Sequence, residues 1–149
     1  DSQMGTLVER TSRFTVLVQL DSKDMHTTAA GVSREILRLP EHLRGSLTWD
    51  RGPELAGHKE VTDQTGIEVY FCDPKSPWQR GTNENTNGLL RQYFPKRTSM
   101  AGLTQDDLDV VAAKLNGRPR KALGFRTPAS AVAMNLRGAR PPLWGAGLF

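Results

Sequence analysis

Two β-branched and apolar runs, Gly5–Arg10 and Phe14–Leu20, are separated by only three polar residues, Thr11, Ser12 and Arg13. That arrangement predicts a β-hairpin, and beyond it helical and strand signals alternate along the chain. From Met25 to Leu39 the residues Ala29, Val32, Ile36 and Leu39 recur at helical spacing, with Pro40 as a stop. Ser46–Trp49 is a short strand that runs into the turn sequence Asp50-Arg51-Gly52-Pro53. A second helix is expected from Glu54 to Thr65, with Gly66 as its C-terminal cap. Ile67–Phe71 alternates as a strand does, and Asp73-Pro74 closes it.

After Pro77 the pattern is helical. Thr104 and Asp107 form a capping-box pair ahead of Leu108, Val111, Ala112 and Leu115, and Asn116-Gly117 followed by Pro119 ends that helix. Thr127-Pro128 opens a last helix through about Leu136. Strands alternating with helices predict an α/β fold, a sheet with helices packed over it. Residues 1–136 are expected to form one core. Residues 137–149, rich in Gly and Pro and without periodicity, are expected to be a disordered tail.

Composition narrows the functional classes. A chain of 149 residues suits one domain. No run approaches eighteen apolar residues, so no transmembrane helix is expected. One cysteine, Cys72, rules out an internal disulfide framework and a multi-cysteine zinc site. Residues 1–73 hold 8 Lys/Arg against 12 Asp/Glu, whereas residues 74–149 hold 12 against 4. The basic half points toward a polyanion such as nucleic acid. His26, His42 and His58 share no metal-ligand spacing and read as solvated helix residues; Cys72 reads as a small buried hydrophobe and Trp49 as core.

Two acids stand out by position. Asp50 follows a strand at a glycine turn, where side chains project past the sheet edge and ligands commonly bind. Glu84 lies in the run 76–90; if that run is helical, Arg80, Asn87, Gly88 and Arg91 share its face, with Leu89, Leu90 and Tyr93 opposite. Three asparagines and a glycine weaken a helix here, and local rules tend to be broken at functional sites. Paired carboxylates suit Mg²⁺, a hard ion that takes oxygen ligands.

The run from Val69 to Lys96, which contains Pro77-Trp78-Gln79-Arg80-Gly81-Thr82-Asn83-Glu84-Asn85, resembles the signature of bacterial transposases of the insertion-sequence 30 family. Gly5–Arg10, Leu47–Asp50, Leu115–Gly124 and Thr127-Pro128 match the same family in the same order, so the resemblance spans residue 5 to about 132. It implies a DDE transposase catalytic core with a ribonuclease-H-like integrase fold, a mixed sheet flanked by helices, and three acids binding two Mg²⁺ or Mn²⁺ ions. By position Asp50 matches the second acid and Glu84 the third, with 33 residues between them. The first acid belongs to a Gly-Asp-Leu type motif on a strand before the hairpin; that motif is absent here. The chain is therefore expected to be an N-terminally truncated core lacking its first strand. The family's helix-turn-helix is absent as well, and the 137–149 ending is atypical.

In such sheets the first strand is central. Without it, two sheet pieces must pair directly or leave buried backbone groups unsatisfied. The expected function is DNA transposition: strand cleavage by metal-activated water, then attack of the freed 3′-hydroxyl on target DNA. The chain alone is expected to be catalytically dead. One alternative is an inactive remnant that binds DNA or an intact transposase; another is a metal-dependent nuclease of similar fold. Arg80, Asn87, Arg91, Lys96 and Arg97 around Glu84, and Arg118, Arg120 and Lys121 beyond, are the candidate DNA contacts. The expected partners are transposon-end and target DNA, with a homo-oligomer on the DNA, no membrane, and a bacterial cytoplasmic, nucleoid-associated location.

Overall fold

β1 (Gln3–Glu9) and β2 (Thr15–Leu20) pair antiparallel, Leu7 opposite Val16 and Thr6 opposite Leu17, so the hairpin forms as its pattern requires. Its turn is built around Glu9, whose Oε1 accepts from the N–H of Thr11 and of Ser12, at 3.2 and 2.8 Å. Arg13 takes a left-handed φ of 65° in that turn. The computed structural model describes residues 3–49, 55–71, 81–135 and 141–149.

Among the described residues the helices are α1 (Met25–Arg38), α2 (Leu55–Thr65), α3 (Gly81–Leu90), α4 (Gln105–Asn116) and α5 (Pro128–Asn135). The further strands are β3 (Ser46–Trp49), β4 (Val69–Phe71) and β5 (Leu143–Leu148). Local chemistry sets their ends. Asp24 accepts from Thr27 N–H at the start of α1, Thr104 and Asp107 form the capping box of α4, and Gly66, at φ 77°, comes directly after α2.

The strands form one sheet in the order β2-β1-β5-β3-β4. This corrects the expectation for residues 137–149: part of that tail is a strand, and a central one. β5 runs antiparallel to β1, Leu7 opposite Ala146, and parallel to β3, Leu47 opposite Trp144. The slot between hairpin and β3, expected to be empty, is filled from the C-terminus, so the two sheet pieces need not pair directly. The alternation is present in the tail, with Trp144 and Ala146 facing inward. It is hidden in the sequence because the intervening positions, Gly145 and Gly147, are a residue depleted in strands.

β5 is tied down at both ends. Leu143 N–H donates to Glu9 Oε2 at 3.1 Å and Trp144 Nε1 donates to the Leu43 carbonyl at 2.8 Å, while Phe149 N–H donates to the Met4 carbonyl at 2.9 Å. Gly45, at φ 51°, lets the chain pass this strand: a Cβ there would lie 1.9 Å from the Pro142 carbonyl oxygen.

Each face of the sheet has its own core. On one, Leu7, Val18, Leu20, Leu47, Trp49, Trp144 and Ala146 pack against Ala29, Val32 and Ile36 of α1 and Val61 of α2. On the other, Met4 and Leu17 pack against Leu90 of α3, Phe94, and Leu108, Ala112 and Leu115 of α4. Trp49 is core, as expected.

Candidate functional site

α3 is seated by Thr86 and Leu90, one turn apart and both buried, with Leu89 and Tyr93 packed alongside. It lies over β1 and β5. The opposite face carries Glu84, exposed in the first helical turn, and Gly88, also exposed. The facial division expected from the sequence therefore holds for Glu84, Gly88, Leu89, Leu90 and Tyr93. A carboxylate in the first turn is favoured by the partial positive charge at a helix N-terminus.

Asn87 is half-buried, and its Oδ1 lies buried with no hydrogen-bond partner. Arg91, just past the helix, is exposed, but its guanidinium stacks on the Phe149 ring at 4.2 Å from the centroid. This candidate phosphate contact thus also clamps the tail strand.

Asp50, Arg80, Cys72 and Trp78 lie outside the described residues. Trp49, the last described residue of β3, is level with Ala146 of β5, and Thr48 with Gly145. Leu47 and Trp49 point into the α1–α2 core, so Thr48 and Gly145 lie on the face that α3 covers. Among the described residues no three of His, Cys, Asp and Glu cluster as a metal site. His26 is exposed beside Glu60 and His42 is exposed; His58 departs from the solvated reading, being half-buried edge-on to Phe71.

The remaining cations divide between two places. Lys96 and Arg97 are exposed just beyond α3. Arg118, Arg120 and Lys121 come after α4, and Arg118 Nη1 donates to Gln92 Oε1 at 3.2 Å. Arg120 is half-buried, and burial, then the charges of Arg13 and Arg118, holds its pKa below the usual arginine value. Sequence reasoning misses Arg13 because its neighbours in this cluster are over a hundred residues away. It also misses Phe125, which is 69% exposed at a left-handed φ of 67°.

Residues 1–77 match the integrase core domain family. The chain is 58% identical over 132 residues to the transposase InsI for insertion sequence element IS30A of Escherichia coli (strain K12), covering 89% of this chain and 34% of that protein. It is 49% identical over 135 residues to the transposase for insertion sequence element IS1086 of Cupriavidus metallidurans, covering 91% and 40% respectively. The transposase for insertion sequence element IS4351 of Bacteroides fragilis is 46% identical over 92 residues, 62% of this chain and 28% of that protein. The chain thus spans well under half the length of these curated relatives. It has the mixed five-stranded sheet and flanking helices of a ribonuclease-H-like core, and it belongs to the integrase core domain family, in its insertion-sequence 30 branch.

Proposed function

We propose that this chain is the catalytic-core portion of a DNA transposase, a metal-dependent polynucleotidyl transferase that cuts the ends of a transposable element and joins them to target DNA. The supporting observation is α3: its inner face is anchored on the sheet by Thr86 and Leu90, and its outer face presents Glu84 to solvent. A substrate phosphate can reach a carboxylate held that way.

Divalent-metal dependence is a family property, and Glu84 with Asp50 would hold the ion here, Mg²⁺ or Mn²⁺. Bound, such ions activate the attacking oxygen and stabilise the leaving one. The fit to this chain is partial. An exposed carboxylate suits a hard cation, but Mg²⁺ relies on one or two carboxylates plus water and substrate phosphate, and the described residues bring one acid to this face. What the chain itself would supply is positioning: Glu84 exposed on a helix anchored to the sheet, with half-buried Asn87 and exposed Arg91, Lys96 and Arg97 following it in sequence as the proposed contacts to the DNA backbone. Transposon ends and target DNA are the proposed partners, with assembly of copies on the DNA in the bacterial cytoplasm.

A second reading, a non-catalytic remnant that binds DNA or an intact transposase, draws on β5. The strand that fills the central slot brings Gly145 and Gly147, not an acid, to the face under α3. Both readings expect the 149 residues not to cut DNA; the first requires them to bind it, and the second allows an intact transposase as the partner instead. The test is incubation with terminal-repeat DNA and Mn²⁺ or Mg²⁺. Bound, intact DNA fits; efficient nicking refutes inactivity, and absence of DNA binding refutes the first reading and leaves the second only its binding to an intact transposase. Fusing a Gly-Asp-Leu strand upstream then separates them, since recovered cleavage favours the enzyme.

A further inference from the structure

Beyond α3 the chain turns back toward the sheet. Arg91 N–H donates to the Asn87 carbonyl at 3.1 Å and Phe94 N–H to the Leu90 carbonyl at 2.8 Å, so helical bonding runs on past the end of the helix. Arg97 and Gly102 then take left-handed conformations, φ 69° and 83°, and Thr98 N–H donates to the Pro95 carbonyl at 3.0 Å. Three separate segments meet around a pocket of about 320 Å³. Gln3 comes from β1, Arg91 from the end of α3, and Thr98 and Ser99 from the turned loop, while Met100 and Phe149 supply apolar lining.

The polar groups of this pocket are donors. The Arg91 guanidinium is fixed on the Phe149 ring, 4.2 Å from its centroid, and Nη1 donates to the Phe94 carbonyl at 3.4 Å. Among the described residues no carboxylate pairs with Arg91, which leaves most of its N–H groups unspent. Ser99 Oγ accepts from Ala101 N–H at 3.2 Å, so its own O–H is free to donate. Thr98 adds a second hydroxyl and Gln3 a side-chain amide, and among the described residues no acid lines the pocket. One cation with neutral donors converging from other segments matches the several oxygens of a phosphate. A planar carboxylate would need only the guanidinium fork.

The pocket is also in line with Glu84. Arg91 follows Glu84 by seven residues, close to two helical turns, so the two leave one face of the helix about 10 Å apart along its axis. A DNA strand tracking that face would bring phosphates to both, about three base-pair steps apart at a rise of about 3.4 Å.

We propose that this pocket seats one backbone phosphate of the DNA strand presented to Glu84, with Arg91 as the charged fork and Gln3, Thr98 and Ser99 as neutral donors. The proposal rests on the reading that this chain binds DNA, and it adds to that surface three residues that no charge pattern marks. Phe149 is a positioning residue here, acting on the phosphate only by holding Arg91.

The test uses the full 149-residue chain in chelator, so that no strand is cut, with duplex DNA titrated at several salt concentrations. Arg91→Ala should weaken binding roughly tenfold and lower the salt dependence by about one phosphate contact. Thr98→Val combined with Ser99→Ala should weaken binding about threefold or more at unchanged salt dependence, because hydroxyls carry no charge. Arg91→Lys should keep the salt dependence without restoring the affinity, since an ammonium lacks the fork. Phe149→Leu should weaken binding by the unaltered chain and add nothing to Arg91→Ala. Backbone amide NMR shifts of Thr98, Ser99 and Ala101, followed with the duplex and with inorganic phosphate, separate the sources of the anion. Movement with the duplex, alone or with both, fits. Movement with inorganic phosphate alone assigns the pocket to a free anion and overturns the DNA role, as does no movement with either. The pocket is equally overturned if Arg91→Ala and the Thr98/Ser99 double variant, melting as the unaltered chain does, bind DNA just as well. Absence of DNA binding by the unaltered chain defeats the broader reading and the pocket with it.

Discussion

Asn116 of α4 and Thr15 of β2 exchange a pair of hydrogen bonds: Asn116 Oδ1 accepts from Thr15 N–H at 2.8 Å, and Asn116 Nδ2 donates to the Thr15 carbonyl at 2.9 Å. A side-chain amide offers the same donor and acceptor as a peptide group, so Asn116 does for the edge strand what a neighbouring strand would do. Gln105, about three turns earlier on the same helix, repeats the device by accepting from Gln19 N–H and donating to the Leu17 carbonyl. An open strand edge invites pairing with other chains; here α4 closes it.

Asn116→Ala is therefore expected to cost roughly 2–4 kcal/mol, because it leaves two buried backbone groups of Thr15 unpaired. The urea midpoint measures this. Asn116→Asp should cost at least as much at neutral pH, since a carboxylate oxygen would then face the Thr15 carbonyl. Both variants should aggregate more readily through the uncovered edge. An unchanged midpoint for Asn116→Ala would show that the pair contributes nothing.

The C-terminal strand is expected to be indispensable to the fold. Trp144 is 1% exposed, sits in the main core and donates to the Leu43 carbonyl. Trp144→Ala should cost roughly 3–5 kcal/mol, a large share of the stability of a domain this size. A chain ended at Asn135 should show no cooperative unfolding transition, because β5 is what joins β1 to β3. A sharp thermal transition from that truncated chain would contradict this role.

Most of the local structure is legible in the sequence because each signal is complete within a few residues. The three polar residues Thr11–Arg13 fix a hairpin, Thr104 and Asp107 fix the start of α4, and Gly66 fixes the end of α2. The facing of α3 is also readable, since Thr86, Leu90 and Glu84 obey helical spacing. What escapes depends on contacts distant in sequence. Gly145 and Gly147 look like linker until β1 and β3 are placed on either side of them. Arg13 looks like an ordinary turn residue until Asn116 draws the loop after α4 to it. No local pattern marks Phe125 as exposed, because its exposure arises from a loop closed by Arg120 and Arg126.

Helix α1 should show an acid-sensitive start. Asp24 caps it, accepting from Ser22 Oγ and from the Thr27 N–H and Oγ1, and these hydrogen bonds lower its pKa from 3.8 to about 2. A carboxyl whose folded pKa is depressed stabilises the fold above its unfolded pKa and loses that contribution as pH falls through the folded value. The contribution should thus be complete above about pH 5 and fade between about pH 4 and 2. Asp24→Asn keeps an oxygen acceptor without the titration, so its acid unfolding profile should be flatter across that window. NMR titration of the carboxyl signal checks the cause directly, and an Asp24 midpoint near the ordinary 3.8 would remove it.

The carboxylate count on the α3 face makes a prediction about cations. Gly147 is opposite Thr6 of β1 and comes directly after Ala146, which is level with Trp49. It therefore lies on the face covered by α3. Affinity at carboxylate sites rises with ligand charge, so Gly147→Asp should tighten Mn²⁺ binding by about tenfold or more, and adding Glu84→Gln should cancel the gain. A sign test accompanies the affinity. In chelator the added carboxylate is an uncompensated charge next to Thr6, itself buried, so the melting temperature should fall; Mn²⁺ should raise it again, because the ion binds the folded chain. Paramagnetic titration and thermal melts read the two effects separately. If Mn²⁺ affinity is indifferent to both substitutions, Glu84 is not a cation ligand and the proposed chemistry loses its best-placed residue.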